Sequence, residues 1–172
     1  MIHASIGTAD DLSLLKQEGV VALMRHALAP GTGDPAGFEL GECSTQRNLD
    51  DRGRAQARRT GQALREAGVV FDHVWTSQWC RSRDTAELLD LGEVVEKPPL
   101  NSFFAGRGDR AGQTAATRDL IGAVPSEERI LIVTHQVNIT ALTNLGVRSG
   151  EIIAARRTED GLKPVGRISI YP

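Results

Sequence analysis

The apolar run Val20-Val21-Ala22-Leu23-Met24 breaks off in a cation and an imidazole, Arg25-His26. The run has the length of a strand, and the Gly/Pro-rich stretch Ala29-Pro30-Gly31-Thr32-Gly33-Asp34-Pro35 follows it. Together they predict a buried strand whose carboxyl end delivers both polar side chains to a loop. Open α/β sheets bind their ligands at that end. Taken alone, an arginine at a strand end is a solvated charge, so the pair gains weight only if the chain repeats the theme.

It does so once, in full. Arg129-Ile130-Leu131-Ile132-Val133-Thr134-His135 is the strongest strand in the sequence and again ends in a histidine, followed by Gln136 to Leu142, which can open a helix. Between the two runs, Phe71-Asp72-His73-Val74-Trp75 predicts another strand, closing at Thr76-Ser77. Cys80 to Leu89 follows as a helix, so Arg81 stands in a first helical turn just beyond a strand end. Free N–H groups and the helix dipole favour anions there.

The remaining segments frame these. Thr8-Ala9-Asp10-Asp11 predicts a capping box for a short helix through Leu15. Ala55, Gln56, Arg59, Thr60, Ala63, Leu64 and Ala67 have helical spacing within Asp50 to Gly68, with Gly68 as the stop. The loop between His26 and Leu49 is about twenty residues, a length that compact domains keep for function. Val94-Val95-Glu96 predicts a short strand, Leu100 to Gln113 an irregular stretch with Phe103-Phe104 as a hydrophobic plug, and Thr114 to Val124 a helix. Ile152 to Ala155 and Val165 to Tyr171 predict two closing strands, one of them antiparallel at an edge.

Bulk properties narrow the class. The 172 residues suit one domain, 1–172, that buries roughly 70% of its unfolded surface. A net charge of −2 with both signs interspersed gives no basic stripe for nucleic acid and no polybasic segment for a membrane. A small soluble ligand is the expectation. The apolar runs are too short to span a bilayer, and Met1 to Ile6 lacks the basic and long apolar regions of a signal peptide. As written the chain is expected in the cytoplasm, or in the periplasm if a leader has been removed. Cys43 and Cys80 are expected as two free, partly buried thiols; a bridge between them would tie the loop after His26 to the segment of Arg81 and point to an oxidising compartment.

Leu23-Met24-Arg25-His26, the helix start Leu49…Gly53…Gln56-Ala57, Ser77…Arg81…Thr85-Ala86 and Val133-Thr134-His135 stand in the order and spacing of the histidine phosphatase superfamily, also called phosphoglycerate-mutase-like. The chain resembles that superfamily over residues 20–145. The resemblance implies a three-layer α/β/α sandwich with a mostly parallel sheet, and a phosphate pocket of Arg25, His26, Arg81 and His135. His26 would be the nucleophile that forms a phosphohistidine. Arg25 and Arg81 would grip phosphoryl oxygens in bidentate fashion, and a protonated His135 would complete the cluster. No cofactor or metal is implied. The Gln46-Arg47-Asn48-Leu49 segment with the two cysteines is also similar to secreted lipopolysaccharide-type phosphatases of the superfamily.

Two departures matter. Ala27 stands where the superfamily has glycine after Arg-His. The proton donors of its branches are missing: Gln136 replaces the Asp after the second histidine, and Asn101-Ser102-Phe103-Phe104 offers no counterpart to the mutase Glu. Asp34, Glu39 and Asp109 could reach the pocket from loops. A general acid contributes about 10²–10⁴ in rate and matters most for poor leaving groups. The expectation is therefore a small phosphohydrolase for phosphoramidates such as phosphohistidine, acyl phosphates, pyrophosphates or similarly activated esters. Its partner would be a phosphorylated small molecule or phosphoprotein. The alternative is a catalytically weak scaffold of the same fold that binds phosphoanions.

Overall fold

In the computed structural model, which describes residues 9–170, the two runs that end in histidine lie side by side. β1 (Val21–Arg25) pairs in parallel with β4 (Ile130–Thr134), with Arg25 opposite Thr134. β2 (His73–Thr76) pairs in parallel with the other side of β4, and β3 (Val94–Glu96) with β2. The sheet order is β3-β2-β4-β1-β5-β6. β5 (Ile152–Thr158) and β6 (Gly161–Ile168) form a hairpin in which both strands are antiparallel to their neighbours. The expectation of one antiparallel strand at the edge is refined: β5, one strand in from the edge, runs against the sheet, and the edge strand β6 pairs antiparallel with it and so regains the direction of β1. Pro164 falls in the outermost strand, where a missing ladder donor costs least.

Side-chain alternation divides the interior into two faces. Ala22, Met24, Val74, Leu131, Val133, Ile152 and Ala154 pack with Leu64, Ala86 and Leu89 on one side of the sheet. Val21, Leu23, Trp75, Ile130, Ile132 and Ile153 pack with Ile121, Ile139 and Leu142 on the other. The first face is covered by α2 (Asp51–Glu66) and α3 (Cys80–Leu89), the second by α4 (Arg110–Gly122) and α5 (Gln136–Thr143). A short α1 (Ala9–Leu14) joins the first face through Leu12 and Leu14. The three layers are those of the α/β/α sandwich that the resemblance implied.

Local signals set the ends of α2. Asp50 accepts the backbone N–H of Gly53 at 2.9 Å, and Gly68 at φ +76° ends the helix. Two glycines within it allow close packing: a Cβ at Gly53 would lie 2.0 Å from the carbonyl oxygen of Leu28, and one at Gly61 2.0 Å from that of Leu89. α2 thus presses on both the loop after His26 and the end of α3. α4 begins at Arg110 rather than Thr114, because Asp109 caps it by accepting from Gly112 N–H at 3.1 Å. The cap expected at Thr8 and the end of the last strand at Tyr171 lie outside the described residues.

Candidate active site

Three adjacent parallel strands, β2, β4 and β1, end on the same side of the sheet, and the predicted residues leave from those ends. His26 and His135 follow paired strand residues, and their rings sit edge to face with centroids 5.6 Å apart. Arg81 comes from the first turn of α3 and donates its Nε to Nε2 of His26 at 3.2 Å. Arg25, His26, Arg81 and His135 all line one cavity of about 190 Å³. Gly31, Thr32, Gly33, Arg47, Ser102, Phe104, Gln136 and Val137 complete its wall. Phe104 is 44% exposed and forms part of this wall, correcting its expected role as a hydrophobic plug.

A backbone carbonyl fixes the tautomer of His26, and a hydroxyl holds the ring of His135. Nδ1 of His26 lies 2.8 Å from the carbonyl oxygen of Ala27, which can only accept, so Nδ1 carries the proton and Nε2 presents a lone pair. Ala27 itself has negative φ and donates its N–H to Thr85 Oγ1 at 3.0 Å. The methyl group in place of glycine is therefore accommodated without backbone strain. Ser77 Oγ accepts the N–H of Trp79 at 3.2 Å and shares a hydrogen bond of 2.8 Å with Nε2 of His135. Nδ1 of His135 is a buried atom with no hydrogen-bond partner in the protein.

Electrostatics agree with neutral rings. Burial, then the charge of Arg81, pushes His26 well below its ordinary pKa. Burial, then His26 and Arg81, does the same for His135. The expectation of a protonated His135 is corrected for the unliganded protein, since a second cation would stand unsolvated beside the guanidiniums. Nδ1 is the ring atom that no protein group engages.

The three arginines of the cavity are held differently. Arg25 donates Nη1 to Gln136 Oε1 and to the Val147 carbonyl, both at 3.0 Å, while its Nε is buried without a partner. Gln136 thus replaces the expected acid with an anchor for Arg25. Arg81 gives Nη1 and Nη2 to the two carboxylate oxygens of Asp34 at 2.7 and 3.2 Å. Burial raises the pKa of Asp34, but hydrogen bonds from Arg81 and from Trp79 Nε1 outweigh it and leave the carboxyl below its ordinary value. Asp34 is thereby kept ionised and unsuited to donate a proton. Neither it nor Glu39 nor Asp109 lines the cavity.

Arg47 was not foreseen as a site residue, although its Gln-Arg-Asn-Leu segment stood out in the sequence. Nothing in that spacing shows where the side chain turns. Cys43 and Cys80 are joined in a disulfide, which overturns the expectation of free thiols. The bridge links the loop carrying Arg47 to the helix carrying Arg81, and Gln46 Oε1 reinforces the junction by accepting from Cys80 N–H at 2.9 Å. Among the described residues no group of three or more His, Cys, Asp and Glu side chains could hold a metal ion. Nor is any helix there long and apolar enough to cross a membrane.

Residues 21–117, more than half of the chain, match the family model described as "Histidine phosphatase superfamily (branch 1)". The chain belongs to the histidine phosphatase superfamily. The match includes Arg25, His26 and Arg81; His135 lies beyond it and is brought to them by the sheet. The chain is 39% identical over 57 residues to the mitochondrial serine/threonine-protein phosphatase Pgam5 of Drosophila grimshawi, a match covering 33% of this chain and 19% of that protein. It thus spans about a fifth of the curated relative's length. The fold is that of the putative phosphohistidine phosphatase SixA from Agrobacterium tumefaciens, with a TM-score of 0.63 and 16% identity over 88% of this chain and 98% of the other. It is also that of the phosphoserine phosphatase from Entamoeba histolytica, with a TM-score of 0.65 and 14% identity over 87% of this chain and 96% of the other. Superfamily membership supports phosphatase activity in general.

Proposed function

We propose that the protein is a metal-independent phosphohydrolase that works through a phosphohistidine on His26. Its substrates are phosphorylated small molecules or phosphoproteins with good leaving groups. The observation that carries this reading is a cavity where a neutral imidazole lone pair meets guanidinium groups and, among the described residues, no carboxylate lines the wall. In the first step Nε2 of His26 attacks phosphorus, and the leaving group departs with the electron pair of its bond to phosphorus. Water then attacks the phosphohistidine, the P–N bond breaks, and phosphate leaves with the imidazole lone pair restored. Arg25, Arg81 and His135 hold the phosphoryl oxygens, and Arg25 Nε and His135 Nδ1 are both buried without protein partners.

Leaving groups that depart without strong protonation are favoured, because no carboxylic acid is placed to assist them. Phosphohistidine, acyl phosphates, pyrophosphates and aryl phosphates meet that condition. The Cys43–Cys80 disulfide supports residence in an oxidising compartment.

The test is steady-state hydrolysis of an aryl and an alkyl phosphate, without added metal, by the wild type and His26→Ala. The expected result is fast aryl turnover, slow alkyl turnover, and a loss of roughly 10³-fold or more in the variant. Equal rates on the two esters would reveal a proton donor and refute the leaving-group restriction. Tight vanadate binding with no phosphate release would instead identify a phosphoanion-binding scaffold.

A further inference from the structure

Arg47 stands apart from the other cations of the cavity in how it is held. It lies in the loop between β1 and α2, on the strand side of the buried Leu49. Its Nε donates to the carbonyl of Gly33 at 2.6 Å and its Nη1 to the carbonyl of Ala29. No carboxylate forms an ion pair with it among the described residues, and no hydrogen bond engages its Nη2. Two carbonyls thus fix one edge of the guanidinium while the side chain lines the cavity with His26 and His135. An arginine so braced has lost its rotamer freedom before any ligand arrives, which removes a usual cost of binding.

The charge balance of the cavity gives this placement a purpose. The charge of Arg81 is opposed by Asp34 at 2.7 Å, with both side chains 5% exposed or less. His26 and His135 are neutral, so they add none. Arg25 is bonded only to neutral acceptors. Three guanidiniums thus share the single carboxylate of Asp34, an excess of two positive charges. Burial, then repulsion from Arg81, brings Arg47 down to about 10 against the opposing pull of Asp34, and Arg25 is also lowered by burial and Arg81. A ligand bearing two negative charges balances that excess, whereas one bearing a single charge leaves a half-buried cation uncompensated.

We infer that Arg47 is a phosphoryl-binding residue and that, with Arg25, it makes the site select the dianionic phosphoryl group over monoanions. Arg81, held by Asp34, also steers the His26 nucleophile through Nε. This deepens the proposed phosphohydrolase reading, on which it rests for the identity of the ligand. It also distinguishes phosphate monoesters and phosphoramidates from phosphodiesters, which carry one charge.

The experiment is calorimetric binding of inorganic phosphate to the wild type, Arg47→Gln and Arg47→Lys, from about pH 6 to about pH 8, as the ligand takes its second charge. Wild-type affinity is expected to rise across that range. Arg47→Gln should bind at least about tenfold more weakly at the upper end and lose most of the rise, the effect of removing one charge-assisted contact. Arg47→Lys, which keeps the charge and loses the two-carbonyl brace, should keep the rise. A merely structural brace would make the two variants behave alike, and that result overturns the inference; so does Arg47→Gln binding like the wild type. Binding is read without turnover. A wild type that binds phosphate but hydrolyses nothing therefore refutes the phosphohydrolase reading while Arg47 is still decided, and one that does not bind phosphate overturns both.

Discussion

Asp34 and Arg81 form a two-point ion pair, Oδ1 to Nη1 at 2.7 Å and Oδ2 to Nη2 at 3.2 Å, with the side chains 5% and 4% exposed. The same guanidinium turns its third edge to Nε2 of His26. The carboxylate that the sequence offered as a proton donor is therefore a positioning residue for the nucleophile's neighbour. Its bond to Trp79 Nε1 at 3.1 Å carries that order onward, because the Trp79 ring meets His135 edge-on at 5.4 Å.

Asp34→Asn should expose what this pair does. Removing one partner of a buried pair leaves a desolvated cation, a loss of about 3–5 kcal/mol. The cavity also becomes more positive, so inorganic phosphate should bind the variant more tightly and restore part of the lost stability. Urea unfolding with and without phosphate measures both. An acid role for Asp34 would instead show as a slower alkyl-phosphate reaction with aryl turnover and stability unchanged.

The disulfide should matter for stability and for the site together. Cys43 and Cys80 are 37 residues apart, and closing a loop of that size stabilises a fold by about 4 kcal/mol through the unfolded state. Reduction, or the pair Cys43→Ser and Cys80→Ser, should lower unfolding stability by roughly that amount. Phosphate binding should weaken as well, since the bridge ties the loop of Arg47 to the helix of Arg81. Equal stability with and without reductant would show that the bridge is absent or without effect.

Stability should also fall toward acid in a definite window. Both active-site histidines are held well below their ordinary value of 6.5, by burial first and by neighbouring groups second. Below about pH 6.5 the unfolded chain takes up protons that the folded one refuses. The two rings add stability above that value, and it is lost as pH falls until the folded rings protonate. The slope from this pair reaches about 2.7 kcal/mol per pH unit. His135→Gln should reduce it by about half in phosphate-free buffer, measured by urea unfolding at several pH values. A flat profile in the wild type between about pH 6.5 and 5 would mean that the rings already carry charge when folded.

What could be read from the sequence follows from how locally each feature is encoded. The strands that end at His26 and His135 are continuous apolar runs, and the Asp50 cap and Gly68 stop bound α2 within one stretch of chain. Arg25, His26, Arg81 and His135 are one or two residues from an element end, so placing the elements nearly placed the side chains. The antiparallel course of β5 was not readable, because a short apolar run carries no sign of direction. The length of α4 was misjudged because Asp109, a capping residue, sits in an irregular Gly-rich stretch.

The sequence by itself determined the strands, the helices and the placement of Arg25, His26, Arg81 and His135 at their ends, since hydrophobic period and chain adjacency suffice for these, while the layers of the sandwich and the shared pocket rested on the resemblance to the superfamily. Only the tertiary structure decided that Arg47 joins the cavity, that Asp34 claims Arg81, that Cys43 meets Cys80 and that Ser77 holds the ring of His135. The physical reason is that most of these contacts come from the long loop after β1, which has no periodic pattern. Where its side chains come to rest depends on long-range closure against α2, α3 and the sheet, and no local spacing records that.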